Sequence, residues 1–389
     1  MNIYRSNLML LAFMVTGVSV VGQLYLTIPL NAPLSVMFAV RQESAAWAGS
    51  AFGFAYATGF LVFGPVSDRY GRRRVILSGL ACLFVATAML YFAESLPQFL
   101  ALRVMQGFAA ASFPPVALSV IAETLPIQRR AQGVAFMSFS FLAAAPLAQM
   151  VGASVTIAPT QLMLSLSPIY LVCALCLALT IPGTRHPQSS VDAPKNESGL
   201  LKGLFSTPKI VSSWCAALTV LFGFISFQIG LSLLAQTKGV DAELIKLVGL
   251  PALLLSLASG KLSQRFTPEK LALVGLTTTA VGLFLTLAGT PVLLIASLII
   301  SAGIAMAVPG LITVIASNAQ QTNRGLAMSL YTFCLFIGAS VAPPTAIALN
   351  TLSFAALISV PAILLLLAAF FISLVSLQDR RQQAILTSK

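Results

Sequence analysis

Apolar residues fill most of this chain in long blocks, separated by short polar punctuation. A block of about 20 apolar residues is long enough to cross a bilayer as a helix. The punctuation predicts spans near 8–30, 44–66, 75–93, 98–121, 132–154 and 163–182, then 210–234, 244–262, 271–288, 292–316, 325–347 and 353–376. The chain thus reads as an all-α membrane protein with 12 transmembrane helices. Residues 1–182 form one six-helix bundle and 210–376 a second, joined by a linker at 183–209 and followed by a tail at 377–389. The linker is rich in Pro, Ser, Asn and charge, which predicts a flexible connection. The first block is longer than a signal-peptide core and lacks a small-residue cleavage site, so it is expected to be a retained span.

Composition agrees with this pattern. Hydrophobic residues make up 58% of the chain, above the usual 45–50% of soluble proteins. The mean hydropathy is +0.95. A net charge of +12 would suit nucleic acid, but its placement excludes that partner. Of the 22 Lys and Arg, 18 fall on one side of the predicted topology. Arg41, Lys238 and Lys246 lie on the other side, and Arg103 lies inside a span. Such a bias orients a membrane protein with its basic loops in the cytoplasm. An even number of spans then puts both termini there as well. A multi-pass protein of a bacterial inner membrane is expected.

The densest charge is Gly64-Pro65-Val66-Ser67-Asp68-Arg69-Tyr70-Gly71-Arg72-Arg73-Arg74, between spans 2 and 3. Its pattern returns in weaker form 196 residues later: Gly64 maps to Gly260, Ser67 to Ser263, Arg69 to Arg265 and Tyr70 to Phe266. The same offset maps Gly107 to Gly303 and Ala131 to Ala327. Two parallel six-span halves imply pseudo-symmetry about an axis along the membrane normal.

With these residues in place, the chain resembles the major facilitator superfamily from end to end. Gly64-x-x-x-Asp68-Arg69-x-Gly71-Arg72-Arg73 is similar to the signature loop of that family, and Arg103-Val-Met-Gln106-Gly107 to the RxxQG motif of its 12-span drug:proton antiporter branch. The branch's span 5 motif is degenerate here. Pro146 is present, but the paired glycines after it are replaced within Ala145-Pro146-Leu147-Ala148-Gln149-Met150. The resemblance implies a secondary-active transporter working by alternating access, with proton-coupled efflux of small organic or drug-like molecules. The alternative is a dedicated carrier of one metabolite, such as a sugar, amino acid or siderophore-like compound.

The resemblance also assigns roles. Gly64, Asp68, Arg69, Gly71, Arg72, Arg73 and Glu123 belong to the gating loop. Asp68 and Arg72 are four apart, as on one helical turn, and Glu123 completes a triad at the cytoplasmic end of span 4. The other reading of these charges is topogenic only. Gly49, Gly53, Ala57 and Gly64 give span 2 a small-residue face that lets another helix approach closely. The resemblance makes span 11 its partner.

Arg103, with Gln106 and Gly107, is the candidate for proton coupling or substrate binding, since a charge in a span is costly and usually functional. Lying about 7–8 Å into span 4, Arg103 has the alternative of snorkelling to headgroups. No Asp or Glu lies deep in any span, so proton coupling comes from the resemblance. Gln23, Tyr25, Phe224, Gln228 and Tyr331 are cavity candidates, with helix packing as the other reading. Pro146 and Pro343 mark hinges in spans 5 and 11. Trp47 and Trp214, near span starts, are expected as interfacial anchors.

An enzyme is disfavoured. The spans hold no acid pair and no Ser–His pair, and the single histidine, His186, sits in the linker. The five cysteines all lie in spans, which implies no disulfide framework and, for Cys173 and Cys176, apolar filling. No cofactor or metal is expected. The partners are a small-molecule substrate, protons and lipid, and one chain suffices for a pathway.

Overall fold

The computed structural model describes residues 3–181, 203–258, 266–320 and 324–387. Every regular element among them is helical. In chain order these are α1 (Ile3–Leu26), α2 (Asn31–Met37), α3 (Gln42–Ala45), α4 (Trp47–Tyr70), α5 (Arg72–Met89), α6 (Leu96–Ala110), α7 (Pro114–Thr124) and α8 (Ile127–Ser154). They continue as α9 (Pro159–Leu166), α10 (Pro168–Thr180), α11 (Pro208–Lys238), α12 (Ala242–Leu253), α13 (Pro268–Leu285), α14 (Leu293–Asn318), α15 (Arg324–Leu352) and α16 (Phe354–Thr387). Among the described residues, 11 stretches are long and apolar enough to cross a membrane. The expected eighth span, 244–262, is not one of them. Its described part is the 12-residue α12 with a further turn of helix at 255–258, and 259–265 lie outside the described residues.

Proline acts in two ways. Span 4 divides into α6 and α7 because Pro114 and Pro115 lack the N–H groups that would continue α6, while a proline suits the first helical turn. Ser167-Pro168 separates α9 from α10 in the same way. Helices α8 and α15 instead run unbroken through Pro146 and through Pro343 and Pro344.

The chain divides into two compact units. One comprises Met1–Val191 with Ala339–Ala348, the other Asp192–Gly338 with Leu349–Lys389. Within the first, α1 packs on α8, α4 on α6, and α5 on α6 and α10. Residues 339–348 of α15 also belong to it, and Ser50 Oγ donates to the Ser340 carbonyl at 2.6 Å. There the small-residue face of α4 is closely covered, since a Cβ on Gly53 would overlap Ser340 Oγ. Within the second unit, α13 packs on α14 and α16, α11 on α16, and α12 on α14.

The sequence repeat has a counterpart in packing. A Cβ on Gly79 of α5 would collide with Ser112 in the turn between α6 and α7, and one on Gly275 of α13 with Ala307 of α14. Gly79 and Gly275 are 196 residues apart, so each unit uses a glycine at the same repeat position for close helix approach. Gly260, Ser263 and Arg265, the echo of the charged loop, lie outside the described residues.

Trp214 departs from expectation. It is buried, its Nε1 donates to the Ala327 carbonyl at 3.1 Å, and Phe205 packs edge-on against its ring. It ties α11 to α15 rather than facing headgroups. Trp47 is 47% exposed.

Candidate functional site

Arg103 is a fully buried cation in the first unit. Its placement on α6 turns it away from the surface, and it is 0% exposed. Nε donates to the Ala48 carbonyl of α4 at 3.0 Å, Nη1 to Gln106 Oε1 at 2.5 Å, and Nη2 to the Gln23 carbonyl of α1 at 2.8 Å. The Gln23 carbonyl is one of the last four of α1, which have no partner within the helix. Phe52 lies under the guanidinium, with 4.5 Å between Cζ and the ring centroid, a cation–π contact. The snorkelling alternative therefore fails. The guanidinium points into the bundle because acceptors from two neighbouring helices await it there.

Gln106 extends the network. One turn further along α6, its Nε2 donates to Gln23 Oε1 at 3.1 Å and to Thr87 Oγ1 at 2.8 Å. Thr87 in turn donates to the Leu83 carbonyl at 2.6 Å within α5. Four helices (α1, α4, α5 and α6) are thus joined around one cation whose three named hydrogen-bond acceptors are all neutral. Gly107 makes this possible, because a Cβ there would lie 2.1 Å from the Phe52 carbonyl oxygen. The glycine lets α6 close on α4 where Phe52 carries the ring beneath Arg103. Thr87 was not singled out by sequence reasoning, and a lone threonine in an apolar helix offers no signal of its own.

The charged loop is built around a broken helix. Gly71 has φ 93° and ψ 133°, a conformation L-residues rarely adopt, and it separates α4 from α5. The expectation that Asp68 and Arg72 share one helical turn is therefore incorrect. Asp68 lies in the last turn of α4, Arg72 opens α5, and the Asp68 side chain lies outside what is described. Arg72 reaches Glu123 at the end of α7. Nε and Nη2 both meet Glu123 Oε1, at 3.1 and 3.0 Å, while Nη1 donates to Ser67 Oγ at 2.5 Å. Ser67 Oγ donates on to the Gly64 carbonyl at 2.8 Å, so Ser67, which was not among the gating candidates, joins the group. Arg73 Nη2 donates to the Ala178 carbonyl at 2.6 Å and fastens α5 to the last turn of α10. Arg69 is exposed, and its guanidinium lies 5.6 Å from the Tyr70 ring centroid.

The cavity candidates divide by unit. Gln23 is part of the Arg103 network, and Tyr25 is buried nearby on α1. In the second unit Phe224 and Gln228 are buried on α11, and Gln228 Oε1 has no protein partner. Tyr331 donates to the Val308 carbonyl at 3.4 Å. The second unit also has its own charge cluster. Lys209 Nζ lies 2.5 Å from Asp379 Oδ2 and 3.6 Å from Glu269 Oε1, joining α11, α13 and α16. Its positions are not those that map onto Asp68, Arg72 and Glu123, so sequence symmetry did not reveal it. Among the described residues, no three His, Cys, Asp or Glu side chains converge as metal ligands would.

Residues 8–254 and 244–388 match the family model described as Major Facilitator Superfamily. Similar curated proteins include the putative niacin/nicotinamide transporter NiaP of Bacillus subtilis, 28% identical over 187 residues, which are 47% of this chain and 44% of that protein. The multidrug resistance protein MdtL of Escherichia coli is 26% identical over 195 residues, 49% of this chain and 50% of MdtL. The uncharacterized transporter YceJ of Bacillus subtilis is 28% identical over 259 residues, 64% of each chain. Each match spans less than two thirds of the relative. Among solved structures, the human organic anion transporter MFSD10 superposes with a TM-score of 0.70 at 19% identity, over 94% of this chain and 99% of that one. A bacterial homologue of the human lysosomal transporter Spinster gives 0.71 at 18% identity, over 97% and 98%. At these identities the likeness is one of fold.

Proposed function

The chain belongs to the major facilitator superfamily, and from that premise we propose that this multi-pass membrane transporter is a proton-coupled exporter of small organic, drug-like molecules. It works by alternating access as a monomer of 12 spans, both termini cytoplasmic, in a bacterial inner membrane. Residues 1–182 and 210–376 are its two bundles, with 183–209 the linker.

The observation that carries the reading is the buried Arg103, held by neutral oxygens from α1, α4 and α6. A cation kept inside an apolar bundle at such cost is a functional group by default. Its motif, Arg103-Val-Met-Gln106-Gly107, resembles that of the drug:proton antiporter branch, and the likeness to the multidrug resistance protein MdtL supports a drug-like substrate. Asp68, with Arg72 and Glu123, latches the cytoplasmic ends of the spans. Gln23, Tyr25, Phe224, Gln228 and Tyr331 face the substrate during the cycle, and Pro146 and Pro343 give the helices their hinges. The likeness to NiaP favours the second reading, a dedicated metabolite carrier.

A susceptibility panel in a host stripped of its main efflux pumps tests this. It compares the chain, Asp68→Asn, Arg103→Ala and an empty vector at matched membrane levels. The expected result is resistance to several unrelated amphipathic compounds that is lost in both variants. Resistance to none of them moves the assignment to a dedicated carrier. Undiminished proton-driven transport in both variants overturns the roles of Asp68 and Arg103.

A further inference from the structure

The second unit holds a titratable pair that neither the repeat nor the motifs predict. Lys246 lies in the second turn of α12, and its side chain is 1% exposed. Nζ donates to Glu243 Oε1 at 2.8 Å. Glu243 Oε2 is covered and has no protein partner, although 35% of its side chain is exposed. The start of α12 is held firmly around the pair. Asp241 caps it by accepting from the Leu244 N–H at 2.9 Å, and Ser297 Oγ of α14 donates to the Ile245 carbonyl at 2.8 Å. The helices packed against α12 are α14 and α11. Helix α14 carries no titratable side chain. On α11 the nearest in sequence is Lys238, in its last turn and exposed, while Lys209 and Cys215 lie near its other end. Asp241, at the cap, is exposed.

We propose that the Glu243–Lys246 pair is a proton-binding site, which supplies an acid for proton coupling. This rests on the proton-coupled reading above. In the unprotonated state the pair is neutral overall, and Lys246 can stay buried because Oε1 carries its counter-charge. A proton from water binds Oε2, the oxygen with no donor to stabilise its charged form, and forms a neutral carboxylic acid. No other covalent bond forms or breaks, and the proton returns to water by the reverse step. Protonation leaves Lys246 as a buried cation without a counter-charge, which an apolar surrounding disfavours. The first turns of α12 then have reason to move until Nζ reaches water. Proton binding is in this way converted into a shift between two arrangements of the helix start. In the proposed topology the pair lies toward the face opposite the arginine loop, where an inward proton gradient supplies protons.

The test needs no known substrate. The full chain in lipid nanodiscs is titrated with acid and followed by infrared difference spectroscopy. The expected result is a protonated-carboxyl signal that is absent in Glu243→Gln and shifted to higher pH in Lys246→Met, because losing the cation removes support for the carboxylate. Glu243→Asp keeps the signal, so the test stands if the Gln variant does not fold. The same signal in wild type and Glu243→Gln, or an unshifted titration in Lys246→Met, overturns the proposal. A second arm uses ethidium in proteoliposomes. Glu243→Gln is expected to lose uphill transport driven by a pH gradient while retaining ethidium exchange, and uphill transport at the wild-type level overturns the site. A wild-type chain that does not move ethidium counts against broad export, while the infrared titration still decides the proton site.

Discussion

Arg72 and Glu123 meet through two hydrogen bonds onto one carboxylate oxygen, at 3.1 and 3.0 Å, and so join the first turn of α5 to the end of α7. They are 51 residues apart in sequence and stand on opposite sides of the α6–α7 break. The pair fixes where the charged loop sits relative to span 4. The Arg72 side chain is 17% exposed and that of Glu123 39%, so the interaction belongs to the partly solvated class of about 0–1 kcal/mol.

In a double-mutant cycle of Arg72→Gln and Glu123→Gln, the coupling energy is accordingly expected at or below about 1 kcal/mol, shrinking as salt is raised. Thermal unfolding of the purified variants at low and high ionic strength measures it. Coupling of several kcal/mol, or none at low salt, would contradict the assignment.

Gly71→Ala separates backbone strain from packing. A Cβ at Gly71 meets nothing within 4 Å, so any loss must come from the positive φ of 93°. The expected cost is about 1–2 kcal/mol, read as a lowered unfolding midpoint. Helix α5 would lose its sharp start, and Arg72 its aim at Glu123.

Gly107→Ala is expected to be more damaging for the opposite reason. The new Cβ would sit 2.1 Å from the Phe52 carbonyl oxygen, and backbone cannot rotate aside as a side chain can. A loss of about 1–3 kcal/mol or more is expected. Transport should fall with it, since α4 carries both the ring and a carbonyl that hold Arg103.

Arg103→Lys tests whether charge alone suffices. A lysine keeps the charge, but its point-like ammonium cannot reproduce the planar fork that meets acceptors on α1, α4 and α6. The variant is expected to behave like Arg103→Ala in transport. Full transport by the Lys variant would show that only the charge matters. Thr87→Val should be mild by comparison, costing about 1 kcal/mol, because Gln106 Nε2 keeps its bond to Gln23 Oε1.

Much of the fold was legible because a bilayer imposes a simple rule on sequence. Each span must be apolar over about 20 residues and satisfy its own backbone, which only helices do segment by segment. The RxxQG run pointed to Arg103 and Gln106 because a charge in such a segment stands out. The break at Gly71 was less legible, since a glycine among arginines also suits a regular turn. Trp214 was misread because its place near a span start resembles that of an anchor, and only the Ala327 carbonyl on α15 explains its burial.

The amino-acid sequence by itself determined the helical class, the two-fold repeat and which few polar residues lie among apolar ones. Those properties depend on local hydrophobicity and on residue spacing, both of which can be read along one strand of text. Tertiary structure decided the partners. That Arg103 meets carbonyls of Gln23 and Ala48, that Arg72 reaches Glu123 on α7, and that Trp214 meets the Ala327 carbonyl all depend on where helices cross. A buried charge is stabilised by whichever oxygens packing brings within about 3 Å, and packing is a property of the folded chain.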